Sequence, residues 1–295
     1  MTTIIQKSAV IVRLNIRMCG FEKTDKDVSS EVADNKSAAD DAGRYVKKLF
    51  AGNPILKDIK KVRGKARNVN KAQTLPYLDG QDLLPVPNFD KHSELMTDYK
   101  DLFDALCEDF FAEYETHRDA QQARLGDLFD ASEYPPVSVL RGKFQFNISY
   151  EPLSDGNTFD KMFGNAEMEQ QLIADAEAQM QSRIDEAMHK LYERLLKTVD
   201  CFNTAMRTYK PKAGKSKAMN TFKDTIVGNM VDICEVLPRL NLTGDADLAN
   251  YCELVKSKLT NYDAADLRED ESLRKTAADE AQAILDQMSG YGMAA

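Results

Sequence analysis

The residues best suited to chemistry lie between Lys57 and Lys71, where seven lysines and arginines stand against one acid, Asp58, in a chain of net charge -9. The chemistry they offer is anion binding. Lys57, Lys60, Lys61, Arg63, Lys65, Arg67 and Lys71 can meet the phosphates of a nucleic-acid backbone or the carboxylates of an acidic partner face. The same run also suits a solvated helix whose lysines keep it soluble. A second basic cluster, Arg207, Lys210, Lys212, Lys215 and Lys217, falls in a lysine-rich turn between helical patterns.

Catalytic constellations are missing from the pattern. Ala213-Gly214-Lys215-Ser216 ends like a phosphate-binding loop, but Tyr209 stands where that loop requires glycine, and the segment before it reads as helix. His92, His117 and His189 are far apart and have no Cys-x-x-Cys nearby, so a transition-metal site is not expected. Asp98, Asp101, Asp104, Glu108 and Asp109 line one side of a helical pattern and read as its solvated face. Asp245 and Asp247 suit a helix cap better than an acid–base pair. No serine or cysteine has a glycine-flanked elbow, which disfavours nucleophilic catalysis. An enzyme is therefore not expected, and no cofactor is called for.

The elements that must position the cations come next. As a helix, 57–71 sets Ile59, Val62, Ala66 and Val69 in a narrow apolar seam and leaves the cations on the remaining faces. Val10, Val12, Leu14, Ile16 and Met18 alternate with Ile11, Arg13, Asn15 and Arg17, and Phe144, Phe146, Ile148 and Tyr150 alternate with polar residues. These two strands should pair in one small sheet, and nothing else reads as strand. The sheet's polar face would carry Arg13, Arg17 and Lys143, with Arg141 just before the second strand. Packed near the basic helix, it would form a continuous cationic surface. Stacking residues for a nucleic acid are limited to Tyr77, Phe89 and Tyr209, so any such binding should tolerate sequence.

Residues 40–50 look helical and stop at Gly52, Asn53 and Pro54. Residues 74–88 read as a turn-rich connector. A helix over 95–114 carries Leu95, Tyr99, Leu102, Phe103, Leu106, Phe110, Phe111 and Tyr114 on one face. A helix over 167–206 would be about 60 Å long, which points to a hairpin. Further helices are expected over 219–237, 245–259 and 265–288. The fold class is α+β and mostly helical: a small antiparallel sheet of two or slightly more strands packed on helices, then a long helical hairpin or bundle. The expected domains are 1–157, α+β with the basic helix, and 158–288, all helical, with a mobile tail at 289–295.

Hydrophobic residues make up 43% of the chain, enough for a substantial core. The five cysteines are odd in number and widely spaced, as free thiols in a reducing compartment would be. The apolar run at residues 9–12 is too short for a signal peptide or a membrane span. A cytoplasmic protein is expected, with no membrane partner.

Several segments together resemble an uncharacterised family of tailed-phage and integrative-element proteins. They are LNIRMCGFEKTDKDVSSEV from Leu14, AGRYVKKLFAG from Ala42, QTLPYLDGQDLLP from Gln73, LGDLFDASEYPP from Leu125 and KFQFNISYEPL from Lys143. The likeness covers most of the chain and is closest up to residue 153. Members often carry a tryptophan where this chain has Cys19. The resemblance implies a bacteriophage or mobile-element context in a host bacterial cytoplasm, near a MoxR-type AAA+ ATPase and a von Willebrand A-domain protein or near replication genes. It carries over no site residue.

The leading expectation is thus a non-enzymatic adaptor in an ATPase- or replication-associated assembly, with an AAA+ ATPase or another phage protein as partner. The alternative is a sequence-tolerant binder of single-stranded nucleic acid, using the cations from Lys57 to Lys71 together with Arg13, Arg17, Lys143, Lys210, Lys212, Lys215 and Lys217. A virion structural or assembly protein, self-associating as a homo-oligomer, is the weaker alternative.

Overall fold

The alternation along residues 10–18 becomes β1 (Ala9–Arg17), with Ala9, Val12 and Ile16 buried and Arg13, Asn15 and Arg17 exposed. The second alternating segment becomes β6 (Gln145–Pro152). A computed structural model describes residues 8–153, 166–211 and 219–289 of the chain, which is α+β and mostly helical. β1 and β6 are neighbours in one sheet, as their pattern predicts.

That sheet has four strands in the order β4-β5-β1-β6, and β2 (Glu22–Asp25) and β3 (Tyr45–Lys48) form a second sheet of two. The expectation of only two strands is therefore corrected. β4 (Leu75–Leu78) and β5 (Gln81–Pro85) occupy the stretch read as connector. They join through Asp79-Gly80, with Leu78 opposite Gln81 and Gly80 at φ +70°, a turn that glycine makes at little steric cost. β5 then pairs antiparallel with β1, Ala9 opposite Pro85 and Val12 opposite Asp82.

The helix expected over 40–50 is also corrected, since this stretch is a loop followed by β3. The reason is Lys47, which is only 6% exposed. Its Nζ sits 3.2 Å from Asp25 Oδ2 and 3.0 Å from Glu133 Oε2, and it donates to the Leu128 carbonyl at 3.0 Å. An inward lysine with distant partners selects the strand. Asp25 also caps α1 (Lys26–Asn35) by accepting the Val28 amide at 3.2 Å.

The chain falls into two compact units. The domain boundary expected near residue 158 lies outside the described residues. One unit comprises residues 1–12, 71–90 and 150–295, and the other comprises 13–70 and 91–149.

The first unit holds the β4–β5 hairpin, the start of β1 and a helical bundle. Its long helix, α6 (Ala166–Thr208), is 43 residues, about 65 Å. It packs most extensively on α10 (Glu271–Ser289), while α7 (Thr225–Leu240) packs on α8 (Ala246–Leu259), so the arrangement is a bundle rather than a simple hairpin. Leu191, Leu195 and Phe202 meet Met230, Val255 and Ile284 in its core. The helix expected from 219 begins only at Thr225, because Met219 is paired with Lys210 in an isolated antiparallel bridge. The helix expected over 265–288 is split into α9 (Ala264–Glu269) and α10, and between them Asp270 accepts the Leu273 amide at 3.0 Å.

In the second unit, α2 (Pro54–Gln73) buries Leu56, Ile59, Val62 and Ala66, while Val69 is half-buried. They pack against an aromatic core centred on Phe103, Phe110, Phe144 and Phe146, drawn from α3 (Phe89–Ala112), the residue before β6 and β6 itself. Tyr114 opens a separate helix, α4 (Tyr114–Leu125), and the short α5 (Val137–Arg141) precedes β6. Leu102, expected on the buried face of α3, is 49% exposed.

Candidate functional site

Gly52, Asn53 and Pro54, read above as the end of a helix, are instead the start of the basic one. Gly52 takes φ +78°, Asn53 Oδ1 accepts the Leu56 amide at 2.9 Å, and Pro54 occupies the first helical position. The first turn of α2 contains no acid, so the positive end of its dipole is not offset by a carboxylate of its own.

Around this helix start lies a half-open groove of about 640 Å³. Lys57, Lys60 and Arg63, at i, i+3 and i+6, bring three cations from one side of the helix into its lining. The apolar lining includes Met18, Phe21, Phe50 and Leu56. Phe21 and Phe50 meet edge to face, with ring centres 4.7 Å apart, and Phe50 rests in turn on Phe110 at 5.6 Å. Glu22 and Lys48 also line the groove, directly opposite one another across the β2–β3 pairing.

Two effects in the groove act against the charge on Arg63. Burial lowers the Arg63 pKa and neighbouring Arg67 adds to the effect, so this guanidinium carries an unmet demand for a counter-charge. Burial raises the pKa of the Cys19 thiol, against the opposing pull of Lys143 and Lys23. That thiol stays protonated at neutral pH and is no thiolate nucleophile.

The remaining sequence candidates are dispersed. Lys61 pairs with Asp58 at 2.7 Å. Arg67 donates to the Ile16 carbonyl at 3.0 Å, fastening α2 to β1. Lys65, Arg13, Arg17 and Lys143 are exposed, and Arg141 pairs with both oxygens of Glu108 and lies over the Phe111 ring. Lys71 and Lys210 are exposed residues of the first unit, and Lys212, Lys215 and Lys217 lie outside the described residues. Within the second unit, then, the cations brought together in one groove are Lys57, Lys60, Arg63 and the unforeseen Lys48.

The three stacking candidates already have partners. Tyr77 carries the Arg183 guanidinium at 5.6 Å, Phe89 meets Tyr150 at 5.1 Å, and Tyr209 meets Phe222 at 5.2 Å and Arg274 at 5.1 Å. The residues considered for catalysis are placed apart from one another. His92 is buried against Asn70, His117 stacks on Phe110, and His189 is exposed. Asp245 caps α8 by accepting the Asp247 and Leu248 amides at 2.9 and 3.2 Å, and its second oxygen accepts the Tyr192 hydroxyl at 2.8 Å. The acids of α3 are exposed, with Asp104 paired to Lys100 and Glu108 to Arg141. Burial pushes the thiols of Cys107 and Cys252 up to about 12 and that of Cys234 to about 11.

Among the described residues, no group of three or more His, Cys, Asp or Glu side chains is placed to hold a metal ion, and no helix is long and apolar enough to cross a membrane. No family model matches the chain, nor does any curated protein or solved structure.

Proposed function

We propose that this protein is a non-enzymatic adaptor that docks an acidic, partly apolar segment of a partner protein into the groove at the start of α2. One observation carries the reading: Lys57, Lys60 and Arg63 share their groove with Met18, Phe21, Phe50 and Leu56. Cations alone would suit any polyanion. Cations beside an apolar lining suit a peptide that presents carboxylates and aliphatic side chains together, because both kinds of surface find a partner. With the resemblance described above, the context is a bacteriophage or mobile element in its host's cytoplasm. The partner would be an AAA+ ATPase or another protein of the same assembly.

The test is fluorescence anisotropy with a labelled peptide of alternating glutamate and leucine, compared with one of alternating glutamine and leucine. The acidic peptide should bind, and Lys57→Ala/Lys60→Ala/Arg63→Ala should abolish that binding while leaving the fold intact. Equal binding of both peptides, or no loss in the triple variant, refutes the proposal.

Sequence-tolerant binding of single-stranded nucleic acid is the second reading. It is favoured by the further cations of α2, with Arg67 one turn beyond Arg63 on the same side of the helix and Lys65 exposed. It predicts that an oligothymidine binds with a steep salt dependence, which the same triple variant flattens.

A further inference from the structure

At the C-terminal end of α6 and the first turn of α10, Arg207, Tyr209, Lys210, Arg274 and Lys275 line a half-open cavity of about 590 Å³. Four of its lining residues are cations, and one acid, Glu271, opposes them. Arg207 is already committed, donating to Asn203 Oδ1 at 2.9 Å and to Asp279 Oδ1 at 3.1 Å.

Arg274 is the unusual member. It is only 5% exposed, and it pairs with no carboxylate among the described residues. Its Nη1 donates to the carbonyls of Leu267 and Arg268 at 3.0 and 3.1 Å, closing the last turn of α9. The guanidinium carbon stands 5.1 Å from the centre of the Tyr209 ring. These contacts occupy one nitrogen and one face. Nε and Nη2 find no acceptor among the described residues. The guanidinium therefore keeps donor capacity that an anion in the cavity can take up.

We propose that this cavity binds the phosphate group of a small phosphomonoester, with Arg274 as the buried anchor and Lys210 and Lys275 as donors at the rim. A planar fork with two open donors matches two oxygens of a phosphate, and the rim ammoniums match its second charge. The volume exceeds what phosphate alone fills and lies within the usual range for sites that hold a nucleotide-sized molecule. Glu271 supplies an acceptor for hydroxyls on the body of such a ligand. The cavity shares no residue with the groove of α2, so failure of either reading leaves the other standing.

Calorimetric titration of the full chain with inorganic phosphate, AMP and adenosine at fixed ionic strength tests the proposal. AMP should bind saturably, one per chain, and adenosine should not. Saturable binding of inorganic phosphate supports the same anchor. Lys210→Ala/Lys275→Ala should weaken AMP binding about tenfold, since each lysine loses a charge-assisted contact. Arg274→Lys should weaken it at least as much by removing the fork while keeping the charge. Because Arg274 also closes α9, that variant is read only with an unchanged circular dichroism spectrum, and the exposed lysine pair decides otherwise. The proposal is overturned if neither AMP nor phosphate binds at millimolar concentration, if adenosine binds as well as AMP, or if the rim variant binds as the parent does.

Discussion

His92 lies near the start of α3 with 0% exposure, its Nε2 3.0 Å from Asn70 Oδ1 near the end of α2. Burial lowers its pKa from the ordinary 6.5 to about 4. The sign follows from linkage: the folded protein resists a proton that the unfolded chain accepts at its ordinary pKa. The stability supplied by the neutral ring is complete above pH 6.5 and is lost as pH falls from 6.5 towards 4. The full depression is worth about 3 kcal/mol, of which about 2.5 kcal/mol is gone by pH 4.5. That is a large share of the roughly 5–15 kcal/mol holding a typical domain together. His92→Gln keeps a donor for Asn70 and removes the titration. Urea unfolding of both proteins between pH 7.5 and 4.5 should show the parent losing about 2.5 kcal/mol more than the variant. Asp25, Glu108 and Asp130, whose pKa values are lowered by hydrogen bonds and ion pairs, also cost stability in acid, but they are common to both proteins. Parallel profiles, within about 0.5 kcal/mol across that range, would refute the reasoning.

Arg63→Met keeps most of the side-chain volume and removes a charge that burial and Arg67 both disfavour. Stability should change by less than about 0.5 kcal/mol while acidic-peptide binding falls about tenfold, and a large drop in melting temperature with binding intact would contradict this. Phe110→Ala deletes a ring of 0% exposure that touches Phe21, Phe50, Tyr114 and Phe144. Denaturant unfolding should register a loss of about 3–5 kcal/mol, and the groove should lose its peptide as Phe21 and Phe50 lose their support. Asp245→Ala removes the cap of α8 and the acceptor of Tyr192, costing about 1–2 kcal/mol, and Asp245→Asn should recover most of it.

The sequence was readable where periodicity was strong and local. β1 alternates from Val12 to Arg17 and β6 over its whole length, α6 keeps one apolar stripe through many turns, and the seam of α2 is buried at Ile59, Val62 and Ala66. It misled where distant partners decide. Tyr45, Val46, Leu49 and Phe50 have helical spacing, yet β3 forms because Lys47 turns inward to Asp25 and Glu133. β2 is polar throughout and offers no alternation, so its pairing with β3 could not be read, and with it Lys48 and Glu22 of the groove were missed. The β4–β5 hairpin did leave a sign, Asp79-Gly80 between short apolar runs, which Pro76 obscured. The cations of the groove were plain in the sequence, but its apolar lining was not, since Met18 to Phe21 and Phe50 meet there only after β2 and β3 pair.

The kind of charge in the groove bears on what it can do. Acid–base catalysis needs a group that exchanges a proton near neutral pH, and lysine and arginine as residue types have ordinary pKa values well above it. The one thiol present, Cys19, is pushed up by burial and stays neutral. A groove lined this way offers charge to which an acidic segment can associate. Acidic-peptide affinity should therefore be flat between pH 7 and pH 9 yet fall steeply between about 0.05 and 0.5 M salt, as the screening length shrinks towards the spacing of neighbouring cations on α2. Anisotropy titrations over that grid separate the two dependences. A bell-shaped pH profile would place a titrating group in the groove and overturn the assignment of its charge to lysine and arginine alone.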